Sequence, residues 1–171
     1  RNGYSLTGFI FSKPNYTAED FLKDLNASFI PKAEQPNVVK NPVRYIFHYN
    51  ADTHKWEVHT LGKTNDDNFL IRQWDGYFIA SLADGNSEVT QKGPYSEAPP
   101  PVITQGWSLI SFPSDPPAPY RTAEALLQAA KQVGLNITSI WRYDSNQRQY
   151  VGHRIDTTEN NFPVLAPEGF W

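Results

Sequence analysis

Histidine residues are the first candidates for chemistry in this chain. His48, His54 and His59 fall within one predicted β-hairpin, beside acidic residues of the same hairpin, whereas we expect His153 to have no nearby partner. Imidazole and carboxylate groups are common ligands of transition metals. Successive residues of a strand point to opposite faces, however, so only some of these side chains can converge. The favoured interpretation is therefore that they are ordinary exposed histidines.

Two polar loops offer oxygen ligands to a harder cation. Each loop precedes a phenylalanine, Phe69 in the first half of the chain and Phe162 in the second. Carboxylate and amide oxygens on irregular loops are the ligands that Ca²⁺ prefers. The candidate calcium ligands are Asp66, Asp67, Asn68, Asp156, Glu159 and Asn161. Neither loop has the D-x-D-x-D-G pattern, and ordinary turn chemistry explains the same residues. Calcium is thus one of two interpretations, and the sequence requires no cofactor.

The sequence lacks the common catalytic motifs. It contains no G-x-S-x-G, no phosphate-binding glycine loop and no H-E-x-x-H. The chain has no Cys, which excludes a thiol nucleophile and a thiolate metal site. The two acids of a glycoside hydrolase can come from distant positions, so that alternative stays open. We expect a protein that is not an enzyme.

Aromatic residues make up 14% of the chain and are the strongest candidates for binding. Flat amphipathic rings provide a large contact area at a low cost in side-chain entropy, which suits stacking on sugars. Five rings in predicted loops or hairpins form the candidate ligand platform: Trp74, Tyr120, Trp56, Tyr16 and Tyr150. By contrast, we expect two matched strand pairs, Tyr4 with Trp107 and Phe47 with Trp141, to fill the core.

An internal repeat determines how these residues are positioned. Several landmarks recur in the same order, and Phe69 and Phe162 each stand seven residues before a glycine that is followed by an aromatic residue. The matched segments are 3–6 with 106–109, 17–19 with 122–124, and 46–49 with 140–143. Self-similarity of this kind predicts an architecture of repeated units. We expect unit 1 at residues 1–93, a proline-rich spacer at 94–101, and unit 2 at 102–171.

The two units are predicted to share one order of elements. An opening strand leads to a short helix with a threonine N-cap, Thr17 or Thr122, and then to a hairpin and a final strand. The predicted strands are 4–11, 43–49, 56–61, 69–71 with 77–82, 107–112, 137–143 and 149–155. A further hairpin, turning at 83–86, is expected only in unit 1. The predicted fold is α+β and β-rich, with two homologous units, each a small antiparallel sheet or partial barrel with one short helix.

Unit 2 resembles a known bacterial repeat. It reads GWSLISFP from Gly106, then WRYD from Trp141, then FPVLAPEGFW from Phe162. This series is similar to the GWNLIS…WxYD…LxPGxGYW repeat of secreted and cell-surface proteins, and unit 1 matches it more weakly because Tyr4 replaces Trp and Trp74 stands where Pro167 does. The resemblance implies an extracellular, non-catalytic accessory module, and it implies no particular ligand.

The composition limits which classes of partner and which cellular locations we expect for the chain. A formal net charge of −3 is unlike the basic surface that nucleic-acid binding requires, and no run of about 20 apolar residues is present to span a membrane. The chain has no Cys and no Met, the two residues most readily oxidised. Their joint absence suits an extracellular or cell-surface location, although drift in the composition of a short segment explains it equally well.

Two functions follow from these observations. The first is a module that binds polysaccharide or glycan through exposed aromatic rings. The second is a structural subunit of an extracellular layer or fibre that assembles by strand addition, because unit 2 is predicted to lack the final hairpin of unit 1 and so to leave a sheet edge open.

Overall fold

The computed structural model describes residues 3–11, 13–28, 41–82, 100–101, 103 and 105–171. Two four-stranded antiparallel sheets, each accompanied by one helix, form this part of the chain. The elements are β1 (Gly3–Gly8), α1 (Ala18–Ser28), β2 (Val43–Asn50), β3 (Lys55–Thr60), β4 (Gly76–Ser81), β5 (Ile110–Ser111), α2 (Ala123–Gln132), β6 (Ser139–Asp144), β7 (Gln149–Arg154) and β8 (Gly169–Phe170). The predicted β-rich α+β fold of two units is confirmed.

Both sheets have the same topology. The strand order is β1-β4-β2-β3 in unit 1 and β5-β8-β6-β7 in unit 2, so the final strand of each unit lies between its first strand and its hairpin. The predicted hairpin turn at 83–86 and residues 94–99 of the spacer lie outside the described residues. No helix in the described ranges is long and apolar enough to cross a membrane.

The hairpin turns are built alike because a short polar side chain closes each of them. In unit 1 the Asn50 side-chain oxygen accepts hydrogen bonds from the backbone N–H groups of Asp52 and Thr53. In unit 2 the Asp144 carboxylate accepts from the two residues at the matched positions. Such side-chain bonds to the following backbone are the reason that Asn and Asp favour turns. They hold each pair of hairpin strands in the same register.

The helices begin where the sequence predicts. The hydroxyl oxygen of Thr17 accepts a hydrogen bond from Asp20 N–H, and that of Thr122 accepts from Ala125 N–H. These bonds satisfy backbone donors that have no partner within the helix. The backbone of the first helical residue also donates to the phenylalanine after each polar loop, Ala18 to Phe69 and Ala123 to Phe162. That pair of bonds explains why the threonine and phenylalanine landmarks recur together.

Each helix packs on one face of its own sheet and forms a separate core. In unit 1 that core includes Phe21, Leu22, Leu25, Ile46 and Tyr77. The core of unit 2 includes Ala123, Leu127, Ile140, Val164 and Phe170. One parallel aromatic pair recurs in both, since Phe69 stacks on Tyr77 and Phe162 on Phe170 at centroid separations of 6.1 and 6.2 Å. The repeated sequence landmarks are therefore largely core residues.

The two units contact each other through reciprocal backbone bonds. Gly8 N–H donates to Pro167 O, and Ser111 N–H donates to Trp74 O. Gly8 and Ser111 are matched positions of the repeat, as are Trp74 and Pro167, so the two bonds are related by an approximate two-fold axis. Such a contact uses the same surface of both partners. A Cβ added at Gly8 would collide with the Ser111 side chain, so the strands cross here only because residue 8 is glycine.

Strand bounds agree with the prediction to within two residues except in three places. β5 has two residues rather than the six predicted at 107–112, because its partner β8 is also only two residues long. β1 ends at Gly8, where the chain turns to meet unit 2. Residues 69–71 form one isolated bridge, from Leu70 to Thr17, instead of a strand. The last difference arises because this segment pairs with the start of the helix and not with the sheet.

Candidate functional site

A cluster of aromatic rings lies where the two units meet. Trp171 packs against Tyr49 and Trp56, with ring centroids 5.0 and 5.6 Å apart. Phe78 packs in the same way against Tyr143 and Tyr150, at 5.6 and 6.4 Å. A contact of 6.0 Å between Trp56 and Phe78 joins the two groups. We call this cluster the aromatic strip: Tyr49, Trp56, Phe78, Tyr143, Tyr150 and Trp171.

The aromatic strip follows the approximate two-fold symmetry of the repeat. Phe78 and Trp171 each stand two residues after a glycine of a final strand, and Trp56 and Tyr150 are matched hairpin positions. Trp56 and Tyr150 are exposed, with 45% and 47% of their surface accessible, whereas Phe78 beneath them is buried. Two equivalent rings are thus presented to solvent on a rigid base.

The structure brings only some of the predicted platform residues together. Trp56 and Tyr150 both belong to the aromatic strip. Tyr120 is 40% exposed but lines a separate groove beside α2. Trp74 is half-buried against Phe112, at 6.2 Å, and lines both this groove and a neighbouring cleft.

Tyr16 is not part of an exposed platform, and its inclusion was wrong. Its ring stacks on Phe9 at 5.2 Å and is 8% exposed. Its hydroxyl donates to the Asp24 carboxylate at 2.6 Å, and that bond contributes most to lowering the pKa of Asp24. Position 16 lies two residues before the helix, where its backbone pairs with Ile71, and the sequence shows this residue only as part of a loop.

Two residues expected in the core are in fact exposed. Tyr4 and Trp107 have 51% and 54% of their surface accessible, and Phe47 and Trp141, which were also expected in the core, are half-buried. Within each unit the two rings pack together, Tyr4 with Phe47 and Trp107 with Trp141, at centroid separations of 6.0 and 6.5 Å. All four rings lie on the face of the sheet opposite the helix. Among the described residues, the other unit covers part of that face.

Three of the four histidines are buried, contrary to the expectation of exposed side chains. His59 and His153 are inaccessible to solvent, and each meets a glutamate of the first helical turn. The Nε2 atom of His59 lies 2.8 Å from the Glu19 carboxylate, and that of His153 lies 2.7 Å from the Glu124 carboxylate. His153 therefore has a partner, which is 29 residues away in sequence. These duplicated pairs connect each helix to its hairpin.

The glutamates of these pairs carry lowered pKa values. Burial acts to raise the pKa of Glu19, but hydrogen bonds from Gly62 N–H, His59 and Lys23 outweigh it. The pKa of Glu124 is lowered by hydrogen bonds from Gln128, His153 and the backbone of Asp156. Because donors surround both carboxylates, they are held ionised near neutral pH. Their role is structural, since each bridges three parts of its unit.

His48 lies between two acids and two rings. Its Nδ1 atom is 2.7 Å from the Glu57 carboxylate and its Nε2 atom is 3.2 Å from that of Asp75. The imidazole packs against Phe69 and Tyr77, at 5.3 and 5.4 Å. Burial acts to lower the pKa of His48, but the hydrogen bonds to Asp75 and Glu57 outweigh burial, so the pKa is raised. The matched residue of unit 2 is Arg142, whose guanidinium lies over Phe162 at 5.0 Å.

A cleft of about 650 Å³ opens beside His48 at the contact between the units. Its walls carry charges of both signs, from Lys13 and Arg72 on one hand and Asp52 and Asp75 on the other, together with Trp74. The mixture of charges gives no preference for one class of ion. In the described ranges, no group of three or more His, Asp and Glu side chains is arranged to hold a metal.

The predicted calcium residues are engaged in other contacts or dispersed. The Asn68 side-chain oxygen accepts from Glu19 N–H and that of Asn161 accepts from Glu124 N–H, both at 2.9 Å. Asp156 pairs with Lys131 and Gln128. Asp66, Asp67 and Glu159 are not gathered with them into one group of ligands. The polar loops recur because they close the helix N-termini, and calcium binding stays a prediction.

One sequence signal could have located the aromatic strip. In both hairpins an aromatic residue is followed seven positions later by another, at Tyr49 and Trp56 and at Tyr143 and Tyr150. A third aromatic residue stands two places after the glycine of each final strand, at Phe78 and Trp171. These recurrences identify matched positions, but only the packing of the two units shows that they meet. No protein-family model, curated protein or solved structure matches the chain in comparisons with known proteins.

Proposed function

We propose that the chain is a non-catalytic module of an extracellular or cell-surface protein, and that it binds polysaccharide or glycan through the aromatic strip. The observation that carries the proposal is the presentation of two symmetry-related rings, Trp56 and Tyr150, half-exposed on a buried aromatic base. Rings fixed in this way offer flat apolar faces to a ligand without a further loss of side-chain freedom.

The symmetry of the strip favours a repetitive ligand. A polysaccharide presents the same sugar face at regular intervals, so two equivalent rings can each stack on one residue of a single chain. Both rings contact the same buried residue, Phe78, and therefore lie close together. The resemblance of unit 2 to a repeat of secreted and cell-surface proteins supports the proposed location.

Substitution of the two exposed rings tests this proposal. We expect Trp56→Ala and Tyr150→Ala each to weaken retention on insoluble polysaccharides or a glycan array, and the double variant to abolish it. Tyr45→Ala is the matched control, since Tyr45 is similarly exposed on the same sheet but lies outside the strip. Circular dichroism on all four proteins separates a loss of binding from a loss of fold.

Two further experiments test the other predicted binding residues. Binding repeated in EDTA tests the predicted calcium ligands. Because none of them belongs to the aromatic strip, we expect EDTA to leave retention unchanged. Tyr120→Ala and Trp74→Ala test the other predicted platform residues. Retention that survives the double variant but fails in either of these would move the site to the groove beside α2. No saturable binding to any polymer would reject the proposed function.

A further inference from the structure

The cleft beside His48 has the size and the position of a small-molecule site. Its volume is about 650 Å³. Ligand pockets in proteins have volumes of roughly 300–1,000 Å³ and form preferentially where two domains meet. The turn of the first hairpin, at 49–52, and the segment 71–75 line the cleft from unit 1, and residues 108–110 line it from unit 2. Both units therefore contribute to this site.

Hydrogen bonds between the units hold the walls of the cleft together. Gly76 N–H donates to Leu109 O at 3.0 Å, and Ser111 N–H donates to Trp74 O at 2.7 Å. The Ser111 hydroxyl also donates to Asp75 O at 3.0 Å. Because these bonds join the two units at the cleft, its two sides are fixed relative to each other. A site fixed in this way loses little conformational freedom when a ligand binds.

Several charged groups of the cleft are already paired within the protein. The Lys13 ammonium lies 2.9 Å from the Asp24 carboxylate. The imidazole of His48 lies between the carboxylates of Glu57 and Asp75. These groups form a polar floor and rim in which positive and negative charges are balanced. They therefore contribute little net attraction for an ion.

The remaining charged side chains of the cleft favour a neutral ligand with hydroxyl groups. Arg72 and Asp52 are exposed, and among the described residues neither side chain forms a hydrogen bond or an ion pair. A guanidinium only donates hydrogen bonds and a carboxylate only accepts them, whereas a hydroxyl group does both. A sugar offers several hydroxyl groups together with an apolar ring face. The half-buried ring of Trp74, in the lining of the cleft, suits contact with such a face.

The cleft adjoins the aromatic strip, because Tyr49 belongs to both. We propose that the cleft is a second subsite, which holds one neutral sugar residue of a glycan whose neighbouring residues stack on the strip. The continuing chain rests on the proposed function, and the cleft adds selectivity to it. Exposed rings stack on many sugar faces, whereas hydrogen bonds from Arg72 and to Asp52 require hydroxyl groups at particular positions.

Side-chain NMR signals report on the cleft and on the strip separately. Trp74 lines the cleft and Trp56 belongs to the strip, while His48 lines the cleft but not the groove beside α2. The probes are the methyl glycosides of glucose, galactose, mannose and N-acetylglucosamine, titrated at fixed pH. We expect at least one of them to shift the Trp74 indole and His48 imidazole signals saturably. Methyl glucuronide, which carries a carboxylate, should bind at least threefold more weakly than the best neutral glycoside.

Substitutions in the turn of the first hairpin change the cleft directly. Ala51 lines the cleft, so Ala51→Phe should narrow it and reduce the affinity for the best glycoside at least tenfold. Ser145→Phe is the matched control, because Ser145 holds the same position in the second hairpin, two residues after a tyrosine of the strip, and does not line the cleft. Asp52→Ala removes one hydrogen-bond acceptor without adding bulk and should reduce the affinity at least threefold. Retention on the polysaccharide should fall with Ala51→Phe and not with Ser145→Phe.

The results distinguish the cleft subsite from the proposed function. Retention that Ala51→Phe and Asp52→Ala both leave unchanged, or glycosides that shift the Trp56 signal but not that of His48, would overturn the subsite and leave the strip as the binding site. Equal losses in Ala51→Phe and Ser145→Phe, or tightest binding by methyl glucuronide, would also overturn it. Shifts of the His48 signal without retention on any polysaccharide would reject the proposed function and support the cleft as a site for a sugar.

Discussion

Units 1 and 2 share a scaffold but differ in the charged residue at its centre. In unit 1 the matched position holds His48 between two acids, and in unit 2 it holds Arg142 near Glu168. Both basic side chains lie against the same recurrent aromatic residue, Phe69 or Phe162. Burial raises the pKa of Glu168, and the nearby guanidinium only partly offsets it. Each unit thus places a basic side chain beside these rings, a histidine in unit 1 and an arginine in unit 2.

A second difference between the units involves two neighbouring residues whose sizes compensate for each other. Trp141 stands opposite Gly152 in unit 2, where unit 1 pairs the smaller Phe47 with the larger Val58. A Cβ at Gly152 would overlap the ring of Trp141. The two units therefore fill a similar volume with opposite combinations of large and small residues. At this half-buried position the two residues of each pair therefore differ together between the units.

The largest predicted effect comes from breaking that compensation. Gly152→Val should destabilise the protein by about 3 kcal/mol, because the new side chain overlaps the Trp141 ring. The double variant Trp141→Phe with Gly152→Val recreates the pair found in unit 1 and should recover most of the loss. Urea unfolding of the parent protein, the single variant and the double variant measures both the loss of stability and its recovery. A double variant no more stable than the single one would show that the units are not interchangeable here.

The buried histidine pairs should differ in strength between the units. Removing either carboxylate, by Glu19→Ala or Glu124→Ala, deprives a buried histidine of its partner and should cost about 2 kcal/mol. We expect the loss to be larger for Glu19→Ala. The Nδ1 atom of His153 keeps a bond of 2.7 Å to Glu159 O, whereas that of His59 has no partner in the described part of the chain. Equal losses in thermal unfolding would contradict this explanation.

Substitutions in the two polar loops should have smaller effects that are equal in the two units. Asn68→Ala and Asn161→Ala each remove one acceptor from a helix N-terminus, and each should cost about 1 kcal/mol. Thermal unfolding with and without Ca²⁺ measures the effect. If the loops serve only the helices, added Ca²⁺ should stabilise the parent protein and the variants equally or not at all. A calcium-dependent stabilisation lost in either variant would restore the metal prediction.

The smallest expected effect is a pH dependence that originates at His48 of unit 1. The folded-state pKa of His48 lies above its ordinary value of 6.5, so protonated His48 stabilises the fold. This contribution is complete below about pH 6.5 and is lost as pH rises through the raised pKa. Thermal unfolding between pH 6 and 9 should show a decline that His48→Gln reduces, and an unchanged slope in that variant would exclude His48 as its source.

Local patterns predicted the elements of this fold but not the contacts among them. Thr17 and Thr122 identified the helix starts, and recurrent Asn or Asp residues identified the hairpin turns, because capping and turn bonds join neighbours in sequence. The pairing of His153 with Glu124 joins residues on different elements, and no local pattern shows it. The burial of Tyr16 depends likewise on how the loop before α1 turns.

The candidate site was predictable only in part for a related reason. Trp56 and Tyr150 were identified as ring residues of hairpins, and both are exposed. Their supports, Phe78 and Trp171, come from the final strands of opposite units and are close only because the units pack together. Exposure of Tyr4 and Trp107 was missed because strand alternation identifies two faces without showing which one is covered.

The reciprocal bonds between the units allow the two halves of the chain to differ where identical copies could not. Gly8 to Pro167 and Ser111 to Trp74 are the two halves of a contact that a single unit would make with its own copy. A homodimer of one unit would make the same two bonds with exact symmetry. In such a homodimer every mutation appears twice, so Gly8 could not meet a serine at its matched position. In this single chain the two halves carry different residues there, and Gly8 meets Ser111.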